Sequence, residues 1–347
     1  MDTTKFAIIG AGAISQAYAQ AFQSVAFKTY HEAEVVGIAD VRKEAADSLA
    51  EVLNCPSFDS YTALSDSCEV DAVLVCTPPA THPEICHHFI DCGVHVLCEK
   101  PFAVSAKTAA EVVDAAKKKG VTITMASKFR YVEDVIKAKQ IVDSGILGDI
   151  VLFENAFTAR VGMANRWNSD RTVSGGGVLI DNGTHSFDIA RYFLGPLAEV
   201  QVMEGKRNQG LDVEETVRIF VRSQKGVIGN IDLSWSINKE LDRYISIYGS
   251  RGTVVVGWKE AKYSQLSSSE WVVFGNGYDK VAAFRNQLQN FTRALRGEEK
   301  LLINGADAVA SVEVVEAAYE SLGENHWTAV KNGETRAPAS RAGKSRP

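Results

Sequence analysis

The sequence predicts an α/β domain with a doubly wound parallel sheet, followed by an α+β domain on an antiparallel or mixed open sheet. Three observations carry this prediction. In the first third, short continuous apolar runs alternate with helical patterns, as expected for strands buried on both faces. A glycine-rich turn, Gly10-Ala11-Gly12, joins the first such run to the first helical segment. After about residue 128 the rhythm changes to strands in direct succession. A length of 347 residues suits two domains. With 46% apolar and 23% charged residues, the composition excludes collagen, coiled coil and wholesale disorder.

Taken in order, Lys5 to Gly10 reads as a buried strand and Ala13 to Ala26 as a helix. Glu34 to Ala39, Val70 to Cys76, Val94 to Leu97 and Val121 to Met125 are further apolar strands. Helices are expected over Arg42 to Leu53, His82 to Cys92 and Ser105 to Lys119, the last with serine at its cap. A helix from Tyr131 to Ser144 leads into a strand from Ile150 to Ala159. An irregular polar stretch covers Arg160 to Ser174, and glycines 175 to 177 open a helix reaching about Phe193. Seven strands follow between 198 and 274, then helices near 280–296 and 305–322. The boundaries expected are 1–127, 128–330 and a disordered basic tail at 331–347.

Charge and patterning bound the partners. Thirty-seven Lys and Arg against 43 Asp and Glu give a net charge of −6, which argues against nucleic acid or anionic membrane as the main partner. No apolar run reaches membrane-spanning length. Phe6 to Ile14 is apolar but short and glycine-rich, with no convincing cleavage site, so a cytoplasmic protein is expected. Cys86, His87, His88 and Cys92 cluster without the tighter repeated spacing of a zinc site, and no metal is expected.

The chemistry-bearing residues fall at strand ends. Gly10 permits a tight turn and Gly12 a close approach of backbone to a pyrophosphate, with Ala13 and Ile14 opening the helix N-terminus. Ser15 stands where a third glycine is usual. Asp40 ends the second strand, where an acid accepts from ribose hydroxyls and repels a 2′-phosphate, favouring NAD over NADP. Arg42, two residues on, suits stacking on adenine or tolerance of that phosphate. Thr77, Pro78 and His82 follow the third clear strand, as a ligand loop or as a plain helix start. Glu99 and Lys100 end another strand, and Lys100 is either a proton-transfer group in the crevice or a solvated charge. Asp181, His185 and Asp188 recur at i, i+4 and i+7 on one helical face, as a proton-transfer pair or as a structural histidine. Lys128, Arg130, Arg166 and Trp167 are candidate substrate contacts, the tryptophan by stacking on a sugar ring. If the cations converge they suit a phosphate, uronate or nucleotide sugar; otherwise a neutral hexose or cyclitol remains open.

The ordered set Gly10–Ser15, Thr77-Pro78-Pro79 with His82, Glu99-Lys100-Pro101 and Gly175 to Asp188 resembles the glucose–fructose oxidoreductase/inositol dehydrogenase (Gfo/Idh/MocA) family over about residues 5 to 325. That resemblance implies a Rossmann domain and a C-terminal domain on a large open, mostly antiparallel sheet. It also implies NAD(P)-dependent oxidation of a secondary alcohol on a sugar or cyclitol, or the reverse, with Lys100, Asp181 and His185 as the catalytic trio. His185 is the expected base, oriented by Asp181, with Lys100 on the reacting oxygen. Two other readings stand beside it: a redox-neutral hydrolase or lyase that uses NAD transiently, and a dinucleotide-binding regulator. A homodimer or homotetramer is expected, formed through an open apolar sheet face.

Overall fold

The computed structural model describes residues 3–24, 32–268 and 270–333. The first sheet is all parallel and has six strands: β1 (Thr4–Ile9), β2 (Ala33–Ala39), β3 (Ser57–Phe58), β4 (Ala72–Val75), β5 (His95–Glu99) and β6 (Ile123–Ala126). Their order, β3-β2-β1-β4-β5-β6, reverses direction at β1/β4, the place where doubly wound sheets bind ligands beyond their carboxyl ends. The burial of β4 and β6 is complete along their length, which is why they read as unbroken apolar runs. The short strand β3 and the helix Tyr61–Ser67 went unread in the sequence, because a two-residue strand has no period to detect. Residues 25 and 26, the expected end of the first helix, lie outside the described residues; the helix runs Ala13–Gln23.

The second sheet has nine strands: β7 (Ile150–Thr158), β8 (Leu197–Glu204), β9 (Thr216–Ser223), β10 (Ile228–Ser234), β11 (Arg243–Gly249), β12 (Gly252–Gly257), β13 (Ala261–Gln265), β14 (Val272–Gly275) and β15 (Thr328–Ala329). Its order is β14-β13-β12-β11-β7-β10-β9-β8-β15, antiparallel except for β7 with β10. The helices Glu133–Asp143, Val178–Leu194 and Gly305–Glu324 pack against this sheet. Its other face is mixed rather than apolar: cross-strand neighbours Arg218 and Asp232 pair there, as do Arg222 and Glu199, beside Ile228 and Phe220.

The strands of the first sheet end at Ala126 and those of the second begin at Ile150, but the cores cross the expected boundary at 127/128. Phe284, Leu288 and Phe291 of the helix Lys280–Leu295 pack with Phe6, Ile8, Tyr18 and Phe22 on one face of the first sheet. Ile303, Ala308 and Val312 join Val73, Val96 and Val112 on the other. Each phenylalanine fully buried this way contributes about 2 kcal/mol. A segment late in the chain therefore completes the first domain and ties the two together. The chain is also ordered beyond the expected start of the tail: Asn332 donates to Leu197 O at 2.8 Å, and Gly333 N donates to Glu313 at 2.9 Å. The rest of that expected tail, 334–347, lies outside the described residues.

Candidate active site

Every candidate on the first domain lies at the carboxyl end of a strand. Gly10 follows β1 at φ +95°, and a Cβ there would lie 2.8 Å from Cys76 O, so only glycine fits the turn. Gly12 meets nothing within 4 Å of an added Cβ, leaving its face open. It precedes the helix Ala13–Gln23, whose N-terminus has no side-chain cap and no acid in its first turn. Free amide donors at a helix start are what a pyrophosphate needs. Ser15 is fully buried and its hydroxyl donates back to Gly10 O, so a small polar residue closes the turn where glycine was expected.

Asp40 follows β2. One carboxylate oxygen accepts Ala11 N–H at 2.7 Å and the other accepts Arg42 N–H at 2.8 Å. The Arg42 guanidinium also reaches it, at 3.3 Å. Burial opposes the charge, but these donors prevail and hold the Asp40 carboxyl below its ordinary value. Each oxygen thus accepts one backbone amide and one guanidinium N–H, and the guanidinium bonds, Nε to Oδ1 and Nη2 to Oδ2 at 3.3 Å each, are the long ones that a ribose hydroxyl would replace. A crevice of about 450 Å³ runs along these strand ends, lined by Gly10, Gly12, Asp40, Arg42, Thr77 and Pro78.

Trp167 lines that same crevice from the second domain. It was expected on a sugar face, and it lines this crevice together with Asp40 and Thr77. The local cause is the short helix Arg171–Ser174, capped by Asp170, which packs against the Pro79–Thr81 turn and folds the loop back over the first domain. Arg166, beside it, is exposed.

His82 is buried, with Nδ1 3.0 Å from Pro101 O and Nε2 2.8 Å from Thr77 O. Both ring nitrogens face backbone carbonyls, and the neutral ring that its burial favours donates to one of them at a time, so His82 sits between two crevice loops rather than reaching out as the expected cofactor contact. Glu99 is likewise turned inward. It accepts from Tyr18 OH at 2.7 Å and from Lys100 N at 3.1 Å, and burial raises its pKa despite these donors and the nearby lysines.

Lys100 Nζ donates to Asp181 Oδ1 at 2.6 Å and to Asp181 O at 3.0 Å, which joins the end of β5 to the helix Val178–Leu194 of the second domain. His185, one turn on, is 6% exposed and packs edge-on to Phe129 at 5.0 Å. No hydrogen bond links it to Asp181 among the described residues; its Nδ1 is buried without a partner. Asp181 therefore does not orient the imidazole as expected, because its carboxylate is committed to Lys100. Burial first, then the charges of Lys100 and Lys128, push His185 well below its ordinary value, so the ring is neutral at neutral pH.

Asp188, two turns from Asp181, is fully buried and pairs with Arg130, Nη2 to Oδ1 at 2.7 Å and Nε to Oδ2 at 3.0 Å. Arg130 is thus a support of the helix, not a substrate contact. Sequence reasoning missed this pair, though an acid on an apolar helix face signals a buried cation. It also missed Glu214 and Tyr319. Glu214 Oε1 accepts Gly177 N at 2.9 Å, Leu179 N at 3.1 Å and Tyr319 OH at 2.7 Å, capping the helix that carries Asp181 and His185. A Cβ at Gly177 would lie 2.1 Å from Glu214 O, which accounts for that glycine. No local sequence signal marks so distant a cap.

Among the described residues no three His, Cys, Asp or Glu side chains converge as a metal site, and no helix is long and apolar enough to cross a membrane. The described cysteines are free thiols.

A parallel sheet with an open phosphate turn, joined to a second domain by a lysine–carboxylate pair beside a neutral histidine, defines a two-domain dinucleotide-dependent oxidoreductase. Residues 4–127 match the model of the oxidoreductase family with NAD-binding Rossmann fold, and residues 135–255 match the GFO/IDH/MocA C-terminal domain. The chain belongs to the Gfo/Idh/MocA oxidoreductase family, and its Rossmann domain is of the NAD-binding kind. It is 24% identical over 344 residues to inositol 2-dehydrogenase of Rhizobium meliloti (strain 1021), covering 94% of this chain and 99% of that protein. It is 32% identical over 194 residues to D-glucoside 3-dehydrogenase of Escherichia coli (strain K12), 55% of this chain and 54% of that one. The structure of levoglucosan dehydrogenase in complex with NADH and levoglucosan shares the fold, with a TM-score of 0.86 at 21% identity over 95% of this chain and 99% of that one.

Proposed function

We propose that the protein oxidises a secondary hydroxyl of a sugar, sugar derivative or cyclitol to a ketone, or catalyses the reverse reduction. The observation that supports this most is the meeting of Lys100, Asp181 and a neutral His185 beyond the strand ends of an NAD-binding sheet. The names of the relatives, dehydrogenases of inositol, glucosides and levoglucosan, point the same way.

When bound, NAD supplies the two-electron acceptor. The chain supplies the rest. Neutral His185 takes the hydroxyl proton, at Nε2, since Nδ1 is closed off by packing. Lys100 hydrogen-bonds the reacting oxygen and stabilises its growing negative charge, and Asp181 fixes the ammonium in place. Gly10 to Ile14 would hold the pyrophosphate and Asp40 the adenosine ribose, which favours NAD over NADP. Trp167 covers the same crevice. Homo-oligomerisation through the mixed face of the nine-stranded sheet is the expected assembly, and sedimentation velocity checks it.

Absorbance at the NADH band with a panel of hexoses, cyclitols, sugar phosphates, uronates and nucleotide sugars tests the reading. Net oxidation requires NADH beyond one equivalent of enzyme. A single equivalent or less would point to a redox-neutral cycle.

A further inference from the structure

Lys128 follows the end of β6, beside the catalytic groups. Its Nζ lies 5.2 Å from the Phe129 ring centre and 5.6 Å from that of Phe284. Phe129 meets the His185 ring at 5.0 Å, and Phe284 meets Tyr18, the partner of Glu99, at 4.3 Å. The ammonium is thus bracketed between the imidazole and the buried acid. Lys280 sits one turn before Phe284 on the same helix, hence on the same face, and its charge is felt by Lys128.

Among the described residues neither ammonium has an ion pair. The nearby acids are already engaged: Asp181 by Lys100, and Glu99 by Tyr18 and the Lys100 amide. An unpaired, largely desolvated cation costs free energy, and such groups gather where a ligand completes them. Burial and Lys100 pull Lys128 down to about 8. The cofactor's pyrophosphate is not the missing partner. Its turn ends β1, three strands from β6, roughly 14 Å away at about 4.8 Å per strand. Arg130 is consumed by Asp188, so it does not compete with Lys128 for this role.

We propose that the substrate carries an anionic group, a carboxylate or a phosphate, held by Lys128 with Lys280 beside Lys100 and His185. This rests on the dehydrogenase reading and narrows it to sugar acids or sugar phosphates over neutral hexoses and cyclitols.

Calorimetry of the NADH-loaded protein with D-glucuronate, D-glucose 6-phosphate and D-glucose tests it. At least one of the two anions binds tenfold or more tightly than glucose, and that advantage falls below threefold in Lys128→Met. Lys280→Ala, at an exposed position, weakens the same anion at least threefold. Equal binding of all three ligands, no detectable binding of either anion, or an advantage that survives in Lys128→Met overturns the proposal. NADH formation separates it from the reading beneath it. Anions that bind but are never oxidised leave the anion site standing and remove the dehydrogenase. Neutral sugars oxidised in preference to their anionic counterparts do the reverse.

Discussion

Lys100 and Asp181, 81 residues apart, meet at 2.6 Å across the boundary between the two domains. The contact does two things: it fixes the ammonium in place, and it holds the helix bearing His185 against the end of β5. Neither domain alone contains the site.

Substituting the trio therefore acts on turnover before cofactor binding. Lys100→Ala and His185→Ala lower kcat by about 10²- to 10⁴-fold, the range for loss of a positioned proton-transfer group. The NAD dissociation constant, read by calorimetry, changes by less than threefold, because the phosphate turn is untouched. A variant of either residue with wild-type kcat removes that residue from the mechanism.

The proposed ribose contact is the carboxylate that accepts the Ala11 amide. Asp40→Ala weakens NAD by roughly tenfold or more, since a charge-assisted hydrogen bond contributes about 1.5–3 kcal/mol. NADP is weakened less, because repulsion of its phosphate is removed together with the contact. An unchanged ratio of the two dissociation constants would refute the ribose assignment. Trp167→Ala raises the NAD dissociation constant without altering discrimination among sugars; the opposite pattern would return the tryptophan to the substrate side.

Much of this was legible in the sequence. The fully buried strands of the first sheet showed as apolar runs, and the residues ending them (Gly10, Asp40, Thr77, Lys100) were placed correctly because a parallel sheet gathers strand ends on one edge. Residues whose role depends on distant partners were not legible. His82 looked like a ligand and sits between two crevice loops, while Arg130 looked like a substrate cation and is the mate of Asp188. The place of Trp167 in the crevice was not legible, because nothing local shows that its loop folds back over the other domain. The helix Lys280–Leu295 was given to the second domain, although its phenylalanines belong to the core of the first.

The pH dependence follows from His185. Burial and two lysines depress its pKa, so the neutral base persists well below 6.5 and the acid limb of kcat/KM lies below that value. In Lys128→Met one repelling charge is gone, and the limb moves up. The same depression means that folding stability is lost as pH falls below 6.5, where the unfolded chain takes up a proton that the folded one resists. A limb at or above 6.5 in the wild type contradicts the assignment.

Lys128 acts on stability in the same direction, at higher pH. Its folded pKa of about 8 lies below the ordinary lysine value of 10.5, so the ligand-free protein carries a charge penalty in full below about pH 8. Lys128→Met stabilises the protein at pH 7 by about 1 kcal/mol, a figure reduced for the part of the side chain that water reaches. That gain shrinks as pH rises toward 10.5. Thermal unfolding at pH 7 and pH 10 checks both parts.

Glu214→Ala removes the acceptor for two amides and the Tyr319 hydroxyl at the start of the catalytic helix. It costs about 2 kcal/mol or more in stability and lowers kcat, while NAD affinity is kept. Glu214→Gln, which retains an acceptor oxygen, recovers most of the loss. Equal loss in the two variants would show that the charge, not the cap, matters.

The most direct test of the central claim is NADH formation under multiple turnover in wild type, Lys100→Ala and His185→Ala, each first shown to bind NAD. The account predicts steady NADH production from at least one carbohydrate in the wild type and its collapse in both variants. Steady production that survives in both variants would contradict it.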